Sequence, residues 1–147
     1  MAEVGRVQMS TQEYLEQIET LDIKIQQRKK ELYQIRINMY SLKQLGMSDR
    51  VKSSNREYQL EEKIDDIQKI EKETRNMIKS MVKKRHKIIR EIQVMHNPKY
   101  IDILFKKYVE YKKMDEIRTE MSITYESAKK LHQRALKEFK KCTPNVP

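Results

Sequence analysis

The sequence predicts an all-α protein: a long antiparallel coiled-coil helical hairpin followed by a small C-terminal helical bundle. Three observations carry this. Helix breakers are scarce, with two glycines and three prolines in 147 residues, while Lys, Glu, Ile, Leu and Gln are common and favour helix. Apolar residues recur in alternating steps of three and four along two stretches of similar length. After Pro98 that rhythm stops and shorter amphipathic segments take over. Apolar residues, at 37%, are too few for a large globular core but suffice for seams between helices.

Residues 1–10 are expected as a flexible lead-in, with Ser10 or Thr11 capping the first helix and Glu13 and Glu16 in its first turns. The seam then runs through Ile18, Leu21, Ile25, Leu32, Ile35, Met39 and Leu42, with Arg28 as a polar entry. A helix over about 11–45 would be roughly 50 Å long. Gly46 suits a left-handed cap, and the polar stretch to Asn55 reads as a loop. A second helix, about 56–96, keeps the same steps through Leu60, Ile64, Ile67, Thr74, Ile78, Met81, Ile88, Ile92 and Met95, with Glu71 and Arg85 as polar entries. Pro98 stops it, because the residue before a proline is pushed out of the helical region. Folding the chain about the loop sets Leu42 near Leu60, Ile35 near Ile67 and Ile25 near Ile78. It also brings Arg28 towards Glu71, a pair expected to fix the register across the seam. Tyr33, Tyr40 and Tyr58 fall off the seam and are expected at the surface.

From 97 to 141 the chain reads as a separate small domain. Asn97 caps a helix with Pro98 at its first position, and Tyr100, Ile101, Leu104, Phe105 and Tyr108 make its apolar face. A turn around Glu110–Lys113, a short helix Met114–Met121 and a break at Ser122-Ile123 follow. Thr124–Lys141 is then one amphipathic helix capped by Thr124, with Ala128, Leu131, Ala135 and Phe139 on its apolar face and lysines at its C-terminal end. Two short helices joined by a tight turn, the second one basic, form a helix-turn-helix arrangement. Residues 142–147 are expected as a tail.

The formal net charge of +10 points to a polyanionic partner. The densest basic run, Lys83-Lys84-Arg85-His86-Lys87, is either a phosphate-contacting strip using Lys83, Lys84 and Lys87 or a solvated helix face. One cysteine, Cys142, excludes a disulfide framework and fits an intracellular protein with an inert tail thiol. No apolar run reaches the ~18 residues of a membrane span, and residues 1–10 lack the apolar core of a signal peptide. His86, His96 and His132 are not in metal-ligand spacing, and two glycines cannot build a phosphate loop. The expectation is a protein that is not an enzyme and holds no metal or cofactor.

The segment Pro98–Lys141 resembles region 4 of the sigma-70 family. The whole chain is similar to small sigma-factor-like phage proteins of Gram-positive bacteria, in which a long helical hairpin precedes a region 4-like helix-turn-helix. Ile117 and Met121 match the apolar positions of the motif's first helix, and Ile123-Thr124 the turn and cap. Ala128, Leu131-His132 and Arg134-Ala135-Leu136 match the second helix.

The resemblance implies a cytoplasmic, phage-encoded regulator of late genes. It would dock its last helix in the major groove of double-stranded DNA and contact bacterial RNA polymerase. Carried over by position, Glu126, Ser127, Lys130, Gln133 and Arg134 would face DNA, with Lys129 and Lys137 on phosphates. The hairpin would then serve as a polymerase-docking arm or pair two copies into a homodimer.

The chain departs from the family pattern where Arg118 replaces a small residue at the helix contact. Tyr111 and Ser122 stand where glycine is usual, and Lys113 stands where a capping Ser or Thr is usual. Arg118 must snorkel or push the helices apart, and Tyr111 and Ser122 are expected to strain the turns. Two other readings remain: a coiled-coil adaptor carrying a degenerate helix-turn-helix, and a small DNA-packaging subunit.

Overall fold

The computed structural model describes residues 9–46 and 54–143. The described residues form α-helices α1 (Thr11–Gly46), α2 (Ser54–Gln93), α3 (Pro98–Leu104), α4 (Met114–Glu120) and α5 (Tyr125–Cys142), and α3 runs on into a π-helical turn, Phe105–Val109. There is no strand among them. The expected polar loop after Gly46, the lead-in before Met9 and the tail after Thr143 lie outside the described residues. The chain divides into two compact units, one of Ile23–Val82 and one built from the residues on either side of it.

In the Ile23–Val82 unit, Gly46 lies against Leu60 and Arg36 against Glu71, so the two helix segments pair antiparallel. Ile25, Met39 and Thr74 are buried, while Leu32, Ile35, Leu42, Ile64, Ile67 and Ile78 are half-buried. Two helices alone leave one side of each seam residue open. The buried Thr74 hydroxyl donates to the Ile70 carbonyl at 2.8 Å, which satisfies it within its own helix.

The pairing corrects the expected register. Gly46, not Leu42, sits beside Leu60, a slip of about one helical turn. A seam that repeats every three or four residues keeps its apolar match after such a slip, so the pattern alone does not fix the alignment. Arg28 consequently borders Met77, Ser80 and Met81. It forms no pair with Glu71 and turns along its own helix to Glu31, at 2.7 Å. Glu71, only 17% exposed, instead faces Arg36 at 3.4 Å and Arg75 at 3.9 Å. Gly46 is not a left-handed cap either, since no described glycine has positive φ. Its use is close approach: an added Cβ would lie 2.9 Å from Leu60 Cδ2.

The other unit has the deeper core. Leu15 and Ile18 of α1, Ile88 and Ile92 of α2, Ile103, Leu104, Ile117 and Phe139 are all fully buried. Each such side chain stabilises the fold by ~1.5–3 kcal/mol. A reciprocal capping box opens α1: the Ser10 hydroxyl accepts from the Glu13 amide at 3.1 Å and the Glu13 carboxylate accepts from the Ser10 amide at 3.2 Å. Tyr14 donates to Glu91 at 2.7 Å and sets its ring 6.1 Å from that of Phe139. It thereby ties the start of α1 to the end of α2 and to α5.

The helix bounds differ from those expected at three places. α2 ends at Gln93, short of Pro98, and Met95 is buried in the following turn. In α3 the expected face shifts: Ile103, Leu104 and Tyr108 are buried, whereas Tyr100, Ile101 and Phe105 are half-buried. The π-helical turn causes this, because its wider winding changes the phase of everything after Leu104. Cys142 belongs to α5 rather than to a tail. Thr143 closes that helix with its amide 3.0 Å from the Phe139 carbonyl.

Candidate nucleic-acid interface

α5 is set in place by its N-terminal side. The Thr124 hydroxyl accepts from the Ser127 amide at 3.1 Å and caps the helix. α4 ends in two backbone bonds, Ile123 amide to Arg118 carbonyl at 3.0 Å and Ser122 amide to Thr119 carbonyl at 3.2 Å. That pattern is the Schellman closure, which needs a left-handed residue at Ser122. Ser122 supplies it, with φ of 56°. Tyr111, at the preceding turn, has φ of 58°, and these are the two non-glycine residues with positive φ among those described. They are the positions where the resemblance leads one to expect glycine. The Tyr111 hydroxyl donates to Asp22 at 3.1 Å and accepts from Arg85 at 3.4 Å, so its side chain helps hold the strained backbone. Lys113 caps α4 without any side-chain bond. Arg118 does snorkel: its guanidinium turns outward to Asp115, at 2.6 Å.

Ala128, His132, Ala135, Leu136 and Phe139 of α5 are buried. His132 Nε2 lies 2.7 Å from the Tyr108 hydroxyl. Burial first, and then the positive charge of Lys107, lower its pKa to about 4, so the imidazole is neutral at pH 7. His132 is thus a packing residue and does not face a ligand.

The opposite side of α5 carries every residue singled out from the sequence. Glu126, Ser127, Lys129, Lys130, Gln133, Arg134 and Lys137 are all exposed. Two open hollows flank this ridge. Lys107, Tyr125, Lys129, Gln133 and Lys137 line one of them, and Lys99, Ile123, Ser127 and Leu131 line the other. Lys130 and Arg134 stand between and border both. No carboxylate lines either hollow.

Ion pairing sorts the neighbouring cations. Lys106 meets Asp102 at 2.8 Å, and Lys112 meets Glu110 at 2.6 Å and Glu120 at 2.7 Å. Those hydrogen bonds hold both ammonium groups above the ordinary lysine pKa. Lys99, Lys107, Lys129, Lys130, Arg134 and Lys137 form no ion pair among the described residues. Lys107 instead lies over the Tyr108 ring at 5.7 Å, and Lys129 over the Tyr125 ring at 5.1 Å.

Lys83, Lys84 and Lys87 are exposed as well, but they are not brought to α5. Lys83 and Lys87 share a groove with Arg90 and with Glu91, which supplies a negative charge there. Cys142 is exposed, and its thiol pKa is raised by burial and by Glu138 rather than lowered by the preceding lysines. No group of three or more His, Cys, Asp or Glu among the described residues is arranged to hold a metal ion. No helix among them is long and apolar enough to cross a membrane.

Lys99 and Lys107 are absent from the sequence-derived set. Nothing in the spacing distinguishes Lys107 from Lys106, since which of two adjacent lysines meets a carboxylate depends on the π-helical winding. Comparison with family models, curated proteins and solved structures gives no match for this chain.

Proposed function

We propose that this chain is a DNA-binding transcriptional regulator of the phage sigma-like type. In this reading α4 and α5 are a helix-turn-helix that reads promoter DNA, and it acts together with host RNA polymerase on late genes. The paired helices of the Ile23–Val82 unit are a coiled-coil hairpin that serves as an arm. The observation that carries the reading is the outward ridge of α5. Seven polar or charged side chains are exposed there over a fully packed inner face, with unpaired cations on both sides. Arg134 and Gln133 have the donors to read base edges, and the lysines add affinity that depends on salt. The left-handed turns at Tyr111 and Ser122 support the same reading, since they keep the backbone that the motif normally builds with glycine.

The test is duplex binding by the full chain, measured against fragments of its source genome over a range of salt. Sequence-selective binding that falls steeply with salt is expected, and alanine at Lys130 or Arg134 should weaken it. Charge-neutral changes in the Ile23–Val82 unit should leave it unaltered. Weak binding with no preference among fragments would remove the reading.

A second reading, a protein adaptor, is favoured by one observation. Tyr33, Ile37 and Tyr40 follow helical spacing along α1 and are 67%, 40% and 66% exposed. Such a stripe suits a protein partner. Recovery of a stoichiometric protein complex without any selective DNA binding would favour it.

A further inference from the structure

We infer that the two hollows beside α5 are phosphate channels, one for each backbone strand of a duplex, and that Lys107 and Lys99 are their outer cations. The inference rests on the DNA-binding reading of α5 and names contacts that the reading does not contain.

The argument starts from size. A helix with its side chains is ~10–12 Å across, and the major groove is ~12 Å wide. A helix seated in that groove fills it. The base edges then meet the crest of the helix, and the phosphates at the two lips of the groove meet its flanks. In this chain the crest is Lys130 and Arg134, which border both hollows. The flanks are the hollows themselves. Each is walled on the far side by a different element, the π-helical turn for one and α3 for the other, and each wall presents one lysine.

Charge sorting makes these two lysines distinctive. Around α5, Lys106, Lys112 and Arg118 are neutralised by Asp102, Glu110, Glu120 and Asp115. Lys99 and Lys107 have no such partner among the described residues. Both stand on ordered backbone. The Lys99 amide donates to the capping Asn97 side chain at 3.0 Å. The Lys107 ammonium is held over the ring of Tyr108, whose hydroxyl bonds His132 of α5. A cation kept beside a carboxylate-free hollow is set to meet an anion arriving from outside.

Because the two lysines lie on opposite flanks, they serve opposite strands. The experiment uses the full chain and a duplex selected by it from a random-sequence pool, with an unrelated duplex for comparison. Variants are Lys99→Gln, Lys107→Gln, the double change, and Lys107→Arg, which keeps the charge. Lys63→Gln, exposed in the other unit, is the control, and thermal melts check folding.

Each phosphate contact contributes about −0.9 to the slope of log affinity against log salt. Each single Gln variant should therefore flatten the slope by about one, and the double by about two. The affinity lost between 50 and 200 mM salt should shrink roughly three- to fourfold per contact removed. The effect should be equal on both duplexes, Lys107→Arg should restore it, and Lys63→Gln should show none. Phosphate-ethylation interference should vanish on one strand with Lys99→Gln and on the other with Lys107→Gln. Selective duplex binding with unchanged slopes in both variants would overturn the channels and leave the DNA reading standing. Loss of interference on the same strand in both variants would also overturn them. Absence of duplex binding by the unaltered chain would overturn both.

Discussion

The Tyr108 hydroxyl lies 2.7 Å from His132 Nε2, and both side chains are buried. This bond joins the π-helical turn to α5 and makes α5 sensitive to acid. The folded-state pKa of His132 falls from 6.5 to about 4, through burial and then through Lys107. Between those values the unfolded chain binds a proton that the folded chain refuses. Stability contributed here is therefore complete above pH 6.5, is lost as pH falls towards about 4, and does not change further below that. The loss is on the order of 2 kcal/mol. Urea denaturation at pH 7 and pH 4.5 checks it: the unaltered chain should lose about that much more than His132→Gln. Equal losses would mean that His132 does not titrate in this way.

Ser122 and Tyr111 share a left-handed backbone but not its consequences. Ser122→Gly removes the Cβ that makes φ of 56° unfavourable and should stabilise the chain by about 0.5–1 kcal/mol. Tyr111→Gly relieves the same strain but deletes the hydroxyl that bonds Asp22 and Arg85. It should gain nothing or lose stability. Thermal melts of the two variants side by side separate the cases, and a rise of the same size in both would show that the Tyr111 hydroxyl contributes little.

Across the Ile23–Val82 pairing, coupling belongs to Arg36 and Glu71. Their contact is long, at 3.4 Å, and Arg36 is exposed, so a double-mutant cycle to alanine should give roughly 0.5 kcal/mol. The same cycle on Arg28 and Glu71 should give none, because Arg28 is engaged with Glu31. Measurable coupling for the second pair would contradict the register described above.

Phe139→Ala should cost about 3–5 kcal/mol, since the ring is fully buried and stands against Tyr14. Tyr33→Ala, at a site 67% exposed, should change stability by less than about 0.5 kcal/mol. Denaturant midpoints read both. A large loss from Tyr33→Ala would mean that its stripe is already covered in solution.

Much of the helical plan is legible in the sequence because burial follows spacing. Ile18, Leu21, Ile25 and Met39 are buried as the three–four steps require, and Thr124 and Asn97 cap as their positions suggest. What escaped has identifiable causes. Leu15 continues the seam backwards, but the tertiary contact of Tyr14 with Phe139 is invisible to local pattern. The alignment of α1 with α2 is off by a turn because apolar periodicity is indifferent to that slip. For the candidate interface, the exposed face of α5 is legible from amphipathicity. The flanking lysines are not, because a lysine's availability depends on which carboxylates the fold places beside it. His132 likewise needed Tyr108, 24 residues away in the chain, before its structural part could be assigned.

The π-helical turn Phe105–Val109 also decides what a change in chain length would do at this point. It holds its residues at a wider winding than the α-helix before it. Deleting one residue would let the segment wind as α, and each residue of an α-helix turns the chain by about 100°. A deletion here would be felt as rotation more than as shortening. Lys107 would swing away from its present flank and one of its neighbours would swing towards it. The turn behaves as an angular adjustment in the chain, and a single codon is enough to reset it.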